Sequence, residues 1–354
     1  MNKKTCIFFL LALLLPINIA AQLFQSLDLG FNGGERLGLF SQPRMHVEGD
    51  RLHVCTNQGL YAKDLSADNS MWQLVGFEGI PLQDYARRGN DILALRYNEG
   101  GSFLLLSHDG GQTYEDVTPE IFRGKNHGRL PSLVQHPADP NTLLVSSTYW
   151  GLLLSTDFGQ TWECLTEFVY GNSAASVIGF HPSRPNIIYN CGEGMVFDGH
   201  IMISYDCGQT WSCQDYWGDE SRTAYWYFSA FDNEHPDTVY MAGSLGRNGQ
   251  KGACIKLMCS TDGGRSWHPS QVMTFEKDLE RVNDLQQYGD RLLIYSESDV
   301  YEVSKADLVA QSVAAIQAVK SGTSESPAFD LQGRQIMEPR HGIYIRDGKK
   351  IIKK

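Results

Sequence analysis

The sequence predicts an all-β chain assembled by repetition, and its composition, a recurring turn and the spacing of that turn carry the prediction. The 354 residues are 42% hydrophobic and 20% charged, which excludes a disordered chain and leaves material for a sizeable core. The 35 glycines, with 16 Tyr, 16 Phe and 7 Trp, favour strands joined by tight turns. The turn appears four times: Ser107-His-Asp109-Gly-Gly111-Gln-Thr113-Tyr114, Ser155-Thr-Asp157-Phe-Gly159-Gln-Thr161-Trp162, Ser204-Tyr-Asp206-Cys-Gly208-Gln-Thr210-Trp211 and Ser260-Thr-Asp262-Gly-Gly264-Arg-Ser266-Trp267. Its aspartates are 48, 49 and 56 residues apart, a period that signals stacked supersecondary units.

The first 21 residues stand outside that repeat. Lys3 and Lys4 precede an apolar run from Cys6 to Leu15, Pro16 breaks it, and Ile19-Ala20-Ala21 offers a cleavage site before Gln22. A run this short cannot span a bilayer as a helix and reads as a secretory signal peptide. No cysteine follows the cleavage site to take a lipid anchor, and no later stretch is apolar enough to cross a membrane. The mature chain is therefore expected to be secreted or held at a bacterial cell surface, with no integral membrane segment.

A second pattern precedes three of the turns: His136-Pro137…Pro140-Asn141, His181-Pro182…Pro185-Asn186 and His235-Pro236-Asp237. Each leads into a β-rich run, so one unit reads as strand, His-Pro turn, strand, loop, strand, Asp-Gly turn, strand. Periodicity assigns these histidines to turns. The repeated aspartates read as turn staples, because a short carboxylate accepts nearby backbone N–H groups, while the closing Trp or Tyr packs between sheets. Four-stranded units of this length arranged around an axis make a β-propeller. The span 22–309 has room for six blades, and the alternating segment Leu23–Leu29 is placed to close the ring against the last one. Residues 310–327 read as a linker and 328–354 as a short β tail.

A net charge of −11 argues against nucleic acid as a partner, which would require a basic face. Seven cysteines remain after the leader, an odd number; Cys207–Cys213 and Cys254–Cys259 are near enough in sequence to pair. No CxxC spacing points to a metal, and nothing in the pattern calls for a cofactor.

The four turns closely resemble the Asp-box, or bacterial neuraminidase repeat, of sialidases, xyloglucanases and sortilin-type receptors. The resemblance implies a propeller with Asp109, Asp157, Asp206 and Asp262 as structural residues at its periphery. After the linker Lys320-Ser-Gly-Thr-Ser-Glu-Ser-Pro327, the segments Phe329-Asp-Leu-Gln-Gly-Arg334, Gly342-Ile-Tyr-Ile345 and Gly348-Lys-Lys350 resemble the C-terminal sorting tail of Bacteroidetes proteins. That resemblance implies the type IX secretion machinery as a partner.

Two function classes follow. Sialidase resemblance would require three arginines around a carboxylate. Arg44 stands in Gln42-Pro43-Arg44-Met45-His46 without the family's Arg-Ile-Pro motif, and Arg129, Arg222 and Arg281 are the possible companions. Xyloglucanase resemblance would require a catalytic Asp where this chain has Asn57 and Tyr149, and neither an amide nor a phenol serves as that general acid. The remaining acids for a divergent glycoside hydrolase or lyase are Glu193, Asp198, Asp219, Glu220 and Asp284. The first expectation is a propeller that binds a glycan or an extracellular macromolecule. Its loop residues Tyr149, Trp150, Trp217, Tyr225 and Trp226, with Arg222, are positioned to stack on sugar faces and pair with their polar groups.

Overall fold

The computed structural model describes residues 24–31, 33–35, 42–98, 101–123, 130, 132–147, 151–166, 175–193, 200–215, 224–245, 254–263, 268–274, 281–307, 328–329, 335–336, 342–346 and 349–353. It forms two compact units, Met1–Val309 and Ala310–Lys354. The larger unit begins with β1 (Gln25–Ser26). A first blade contains β2 (Met45–Glu48), β3 (Arg51–Thr56), β4 (Gly59–Asp64) and β5 (Gln73–Gly76). The second contains β6 (Leu82–Arg88), β7 (Asp91–Asn98), β8 (Gly101–Ser107) and β9 (Glu115–Asp116). The third contains β10 (Ser132–His136), β11 (Asp139–Ser147), β12 (Gly151–Ser155) and β13 (Glu163–Thr166). The fourth contains β14 (Ala175–Phe180), β15 (Ile188–Glu193), β16 (His200–Ser204) and β17 (Ser212–Asp215). The fifth contains β18 (Ala224–Phe231), β19 (Val239–Leu245), β20 (Cys254–Ser260) and β21 (His268–Thr274).

Those five blades each use four consecutive antiparallel strands. The remaining sheet is composite: β22 (Val282–Tyr288), β23 (Arg291–Ser296) and β24 (Val300–Ser304) are completed by β1, through Gln25↔Glu302 and Ser26↔Tyr301. Where the sequence suggests six like units, the ring thus has five continuous blades and one sheet that joins the two ends of the span. Pairing the first strand with the last removes the open seam that a ring of separate sheets would leave.

Second strands carry the core. Leu52–Thr56, Ile92–Leu95, Leu143–Ser147 and Leu292–Ser296 are continuously buried, since each blade is covered on both faces by its neighbours. One cluster joins Cys55, Leu60 and Phe77 of the first blade to Leu82, Tyr85 and Ile92 of the second. In the smaller unit, β25 (Ala328–Phe329), β26 (Gln335–Ile336), β27 (Gly342–Arg346) and β28 (Lys349–Lys353) form a sheet ordered β26-β25-β27-β28.

The recurring turns are built as their residue types demand. Asp157 accepts hydrogen bonds from the Ser155 hydroxyl at 2.8 Å, the Thr161 N–H at 2.9 Å and the Thr161 hydroxyl at 2.6 Å. Asp109 and Asp206 repeat these bonds, and the described part of the fourth turn keeps Ser260 to Asp262. The Thr113 N–H and hydroxyl hold the Asp109 carboxyl down to about 2. One residue after the aspartate, a backbone N–H crosses to the turn between the first and second strands. Gly110 donates to the Asn90 carbonyl, Phe158 to Asn141, Cys207 to Asn186 and Gly263 to Asp237, at 2.8–3.0 Å. Both sets of turns therefore lie on one rim of the ring.

That crossing residue adopts positive φ in all four turns, +74° and +70° at Gly110 and Gly263 but +60° at both Phe158 and Cys207. The left-handed conformation costs a side chain about 1–2 kcal/mol. Phe158 recovers the cost through burial between blades, with the Arg88 guanidinium 4.4 Å from its ring; Cys207 is exposed. We expect Cys207→Gly to stabilise by about 0.5 kcal/mol, net of the unfolded-state entropy that glycine adds, and Phe158→Gly to destabilise by about 3 kcal/mol. Urea midpoints of the two variants check this, and a loss of stability in Cys207→Gly would refute it. Cys207 and Cys259 are free thiols, so neither pairing suggested by sequence spacing forms.

Histidines hold the first-to-second-strand turns of the third and fourth blades on this rim, as periodicity implies. Nδ1 of His136 accepts the N–H groups of Ala138 and Asp139, both at 3.1 Å, and Nδ1 of His181 accepts that of Arg184 at 3.1 Å. The fifth blade departs from the sequence alignment. Asp232, not His235, stands in His181's place: Asp232 N–H bonds the Thr238 carbonyl as His181 N–H bonds that of Ile187. Asp232 then accepts the N–H groups of Glu234 and His235, because a carboxylate accepts there as an imidazole nitrogen does.

Candidate functional site

Strand direction puts the ends of β2, β6, β10, β14 and β22 together on the rim that carries these turns. They enclose a cavity of about 600 Å³, to which all five continuous blades and the composite sheet contribute. Its polar lining comes from Arg44, His46, Glu48, Asp84, Arg87, Gln135, Asn233 and Gln286, and its apolar surfaces from Phe180, Pro137, Pro140 and Pro182. Volume and mixed lining are those of a small-ligand site.

Two buried aspartates organise the inner strands. Both sit where the first strand of a sheet bulges, at Leu82/Asp84 and Val282/Asp284. Asp84 accepts the N–H of Tyr85 at 2.9 Å and, in the next blade, that of Leu133 at 3.0 Å. Asp284 likewise accepts the N–H of Leu285 at 2.8 Å and, across the closing seam, that of Met45 at 3.0 Å. The first blade then supplies one further donor to each. His46 Nε2 lies 2.7 Å from Asp84, and Arg44 Nη2 lies 3.0 Å from Asp284 Oδ1.

Burial by itself would lower the His46 pKa, but the hydrogen bond it donates to Asp84 and the charge of that carboxylate outweigh burial and raise the value. Burial pushes the Asp284 carboxyl above the usual carboxylate range, against the pull of Arg44. At the outer end of the cavity, Glu48 accepts the Tyr85 hydroxyl at 2.6 Å and lies 3.3 Å from Arg87 Nε. His53, behind Glu48, is lowered to about 4 by desolvation and is neutral at physiological pH.

Of the acids suggested by the sequence, Asp284 is 1% exposed and bound by Arg44 and two backbone N–H groups. Glu193 lies in β15, paired with Ala175. Asp198, Asp219 and Glu220 lie outside the described residues, as do Tyr149, Trp150, Trp217, Arg222 and Arg129. Tyr225 and Trp226 belong to β18, opposite Ser244 and Gly243. The strand ends that flank Tyr149 and Trp150, Ser147 and Gly151, lie on the rim opposite the cavity. Arg281 pairs with Glu297 at 3.2 Å and Arg44 with Asp284, so these two arginines of the imagined triad are engaged by the protein itself. Sequence reading missed Asp84, His46, Glu48 and Arg87. The available signal was Gln83-Asp84 matching Asn283-Asp284 at the same place in two sheets.

Ring closure, strand order and turn placement define the larger unit as a β-propeller. No family model matches the sequence. The chain is 26% identical over 197 residues to an oligoxyloglucan-reducing end-specific xyloglucanase of Emericella nidulans, a match covering 47% of this chain and 23% of that enzyme. Among solved structures it is similar to the GH74 enzyme of Niastella koreensis, with TM-score 0.50, 15% identity, 93% of this chain covered and 60% of that one. It is also similar to a chain of the nidogen/laminin complex, with TM-score 0.51, 10% identity, 74% of this chain covered and 90% of that one. The chain thus spans less than two thirds of the glycoside-active proteins it matches, and the structural likenesses establish the fold.

Proposed function

We propose that this chain is an exported propeller that binds an extracellular glycan without cleaving it. One observation supports binding over hydrolysis: the carboxylates lining the axial centre are committed to the protein. Asp84 and Asp284 each hold two backbone N–H groups and a basic side chain, while Glu48 holds a tyrosine hydroxyl and an arginine. Glycoside cleavage requires one carboxyl free to give a proton and a second free to attack or to activate water. The partial match to a xyloglucanase favours hydrolysis as the second reading. Against it, Asn57 and Tyr149 stand at the positions where that resemblance places an acid, and neither an amide nor a phenol can serve as that acid.

Export rests on the leader and on the tail segments Phe329–Arg334 and Gly342–Lys350. The reading is tested on the secreted full-length chain with a glycan array and, in parallel, a reducing-end assay on xyloglucan and sialoside substrates. Array binding without released sugar is the expected result. Turnover abolished by no substitution other than one of an acidic residue would establish the hydrolase instead. Unchanged surface delivery of a chain ending at Pro327 would refute the sorting role of the tail.

A further inference from the structure

The cavity on the His-Pro rim has an uneven supply of hydrogen-bonding groups. Its carboxylates are engaged by the protein: Asp84 is held by three donors, and Glu48 accepts the Tyr85 hydroxyl and lies 3.3 Å from Arg87 Nε. Its donors are not. Neither Nη group of Arg87 has a hydrogen-bond partner among the described residues, and nor does Nδ1 of His46, which becomes a donor once the imidazole is protonated. The two side chains are 28% and 31% exposed, enough to meet a ligand while their positions stay fixed. They flank one ring, with the Arg87 guanidinium 5.8 Å and the His46 imidazole 4.5 Å from the centre of Tyr85. His136 adds a third donor. Its Nδ1 is occupied by two backbone N–H groups, which places the ring proton on Nε2.

Each of the two side chains is braced from behind by a carboxylate, Asp84 for His46 and Glu48 for Arg87. That bracing fixes orientation before a ligand arrives and lowers the cost of binding. A guanidinium with its two terminal nitrogens free is the planar fork that matches a carboxylate. Around the donors, Pro137, Pro140, Pro182 and the Phe180 ring, which packs 5.1 Å from His136, offer the flat apolar surface that the C–H face of a sugar ring covers.

We propose that this cavity takes an acidic sugar residue of a glycan, its carboxylate gripped by Arg87 and His46 and its ring lying over the proline and phenylalanine surface. The inference rests on the glycan-binding reading and adds the chemical class of the ligand and the rim at which it enters.

Calorimetric titration of the full chain with trigalacturonic acid and with the neutral trisaccharide maltotriose tests it. The acidic trimer is expected to bind at least about tenfold more tightly, with Arg87→Met erasing that preference and Arg87→Lys keeping part of it, since a lysine preserves charge but not the fork. Should Arg87→Met lower the melting temperature, His46→Gln provides an independent variant, expected to weaken the acidic trimer by about threefold to tenfold. Equal affinity for both trimers, no binding of the acidic one, or an unchanged preference in both Arg87→Met and His46→Gln would overturn the inference. Binding of neutral glycans alone would leave the glycan reading standing, whereas an array blank for every glycan would remove both.

Discussion

Arg44→Met is expected to destabilise the propeller by about 3–5 kcal/mol, the range for stranding one member of a buried ion pair. Arg44 is 7% exposed and Asp284 1%. Without the guanidinium, Asp284 would keep the N–H groups of Met45 and Leu285 and a long contact of 3.4 Å from Gln286, too little to solvate a buried charge. The loss falls on the seam where the composite sheet meets the first blade. Arg44 also reaches the Asn283 carbonyl there, at 3.3 Å. Replacing both charges, as Arg44→Met with Asp284→Asn, should recover most of the loss, because a neutral pair carries no desolvated charge.

The deficit should depend on pH, with a definite sign. The Asp284 carboxyl already lies above its ordinary value, and removing Arg44 raises it further. Between the unfolded carboxylate value, about 4, and the folded one, the native state holds a proton that the unfolded chain has released. Stability then falls as pH rises through that window. Arg44 also depresses the His46 pKa, so its loss moves His46 in the same direction. Urea midpoints at pH 5 and pH 8 should show a smaller difference between the parent and Arg44→Met at the lower pH. A constant difference would mean that Asp284 keeps its charge in both proteins and that the pair matters through packing alone.

What the sequence disclosed and what it hid divide along local and non-local lines. The Asp turns were legible because each is specified within eight consecutive residues by bonds that span at most four positions, as from Asp157 to Thr161. Closure by the leading segment was legible because alternation marked a strand left without a local partner. The cavity was not legible. His46 meets Asp84 from 38 residues away and Arg44 meets Asp284 from 240 away, and neither pair leaves a spacing to find. Asp284 was singled out as a lone acid, but its meaning comes from the bulge it shares with Asp84. The aromatic loops drew attention because rings and charges crowd together in the chain. The observed cavity is instead built from inner-strand ends and turns, whose polar residues are scattered singly through every repeat.

Gly159→Ala should show how far the Asp turns serve packing between blades as well as their own geometry. Gly159 has φ +85°, and an added Cβ would lie 2.5 Å from Leu93 Cδ2 and 3.4 Å from Trp162 Cζ2. Leu93 belongs to the second blade, is 1% exposed and sits in the cluster that binds that blade to the third. Backbone strain of about 1–2 kcal/mol thus adds to overpacking of about 1–3 kcal/mol, for an expected loss of about 2–4 kcal/mol. The residue cannot move aside cheaply. Its N–H is fixed to the Ser155 hydroxyl at 2.8 Å and its carbonyl to Trp162 Nε1 at 3.0 Å. Gly89→Ala isolates the backbone part, because Gly89 has φ +63° and nothing within 4 Å of the added carbon; about 1 kcal/mol is expected there. Trimming the neighbour, as Gly159→Ala with Leu93→Val, should cost less than the two single changes added together, since the methyl group would enter the space the leucine gives up. Equal losses in Gly159→Ala and Gly89→Ala would mean that the glycine answers only to its turn. A larger loss at Gly159, partly relieved by the smaller neighbour, would make the glycine two residues after the aspartate the contact by which one blade fixes the position of the next.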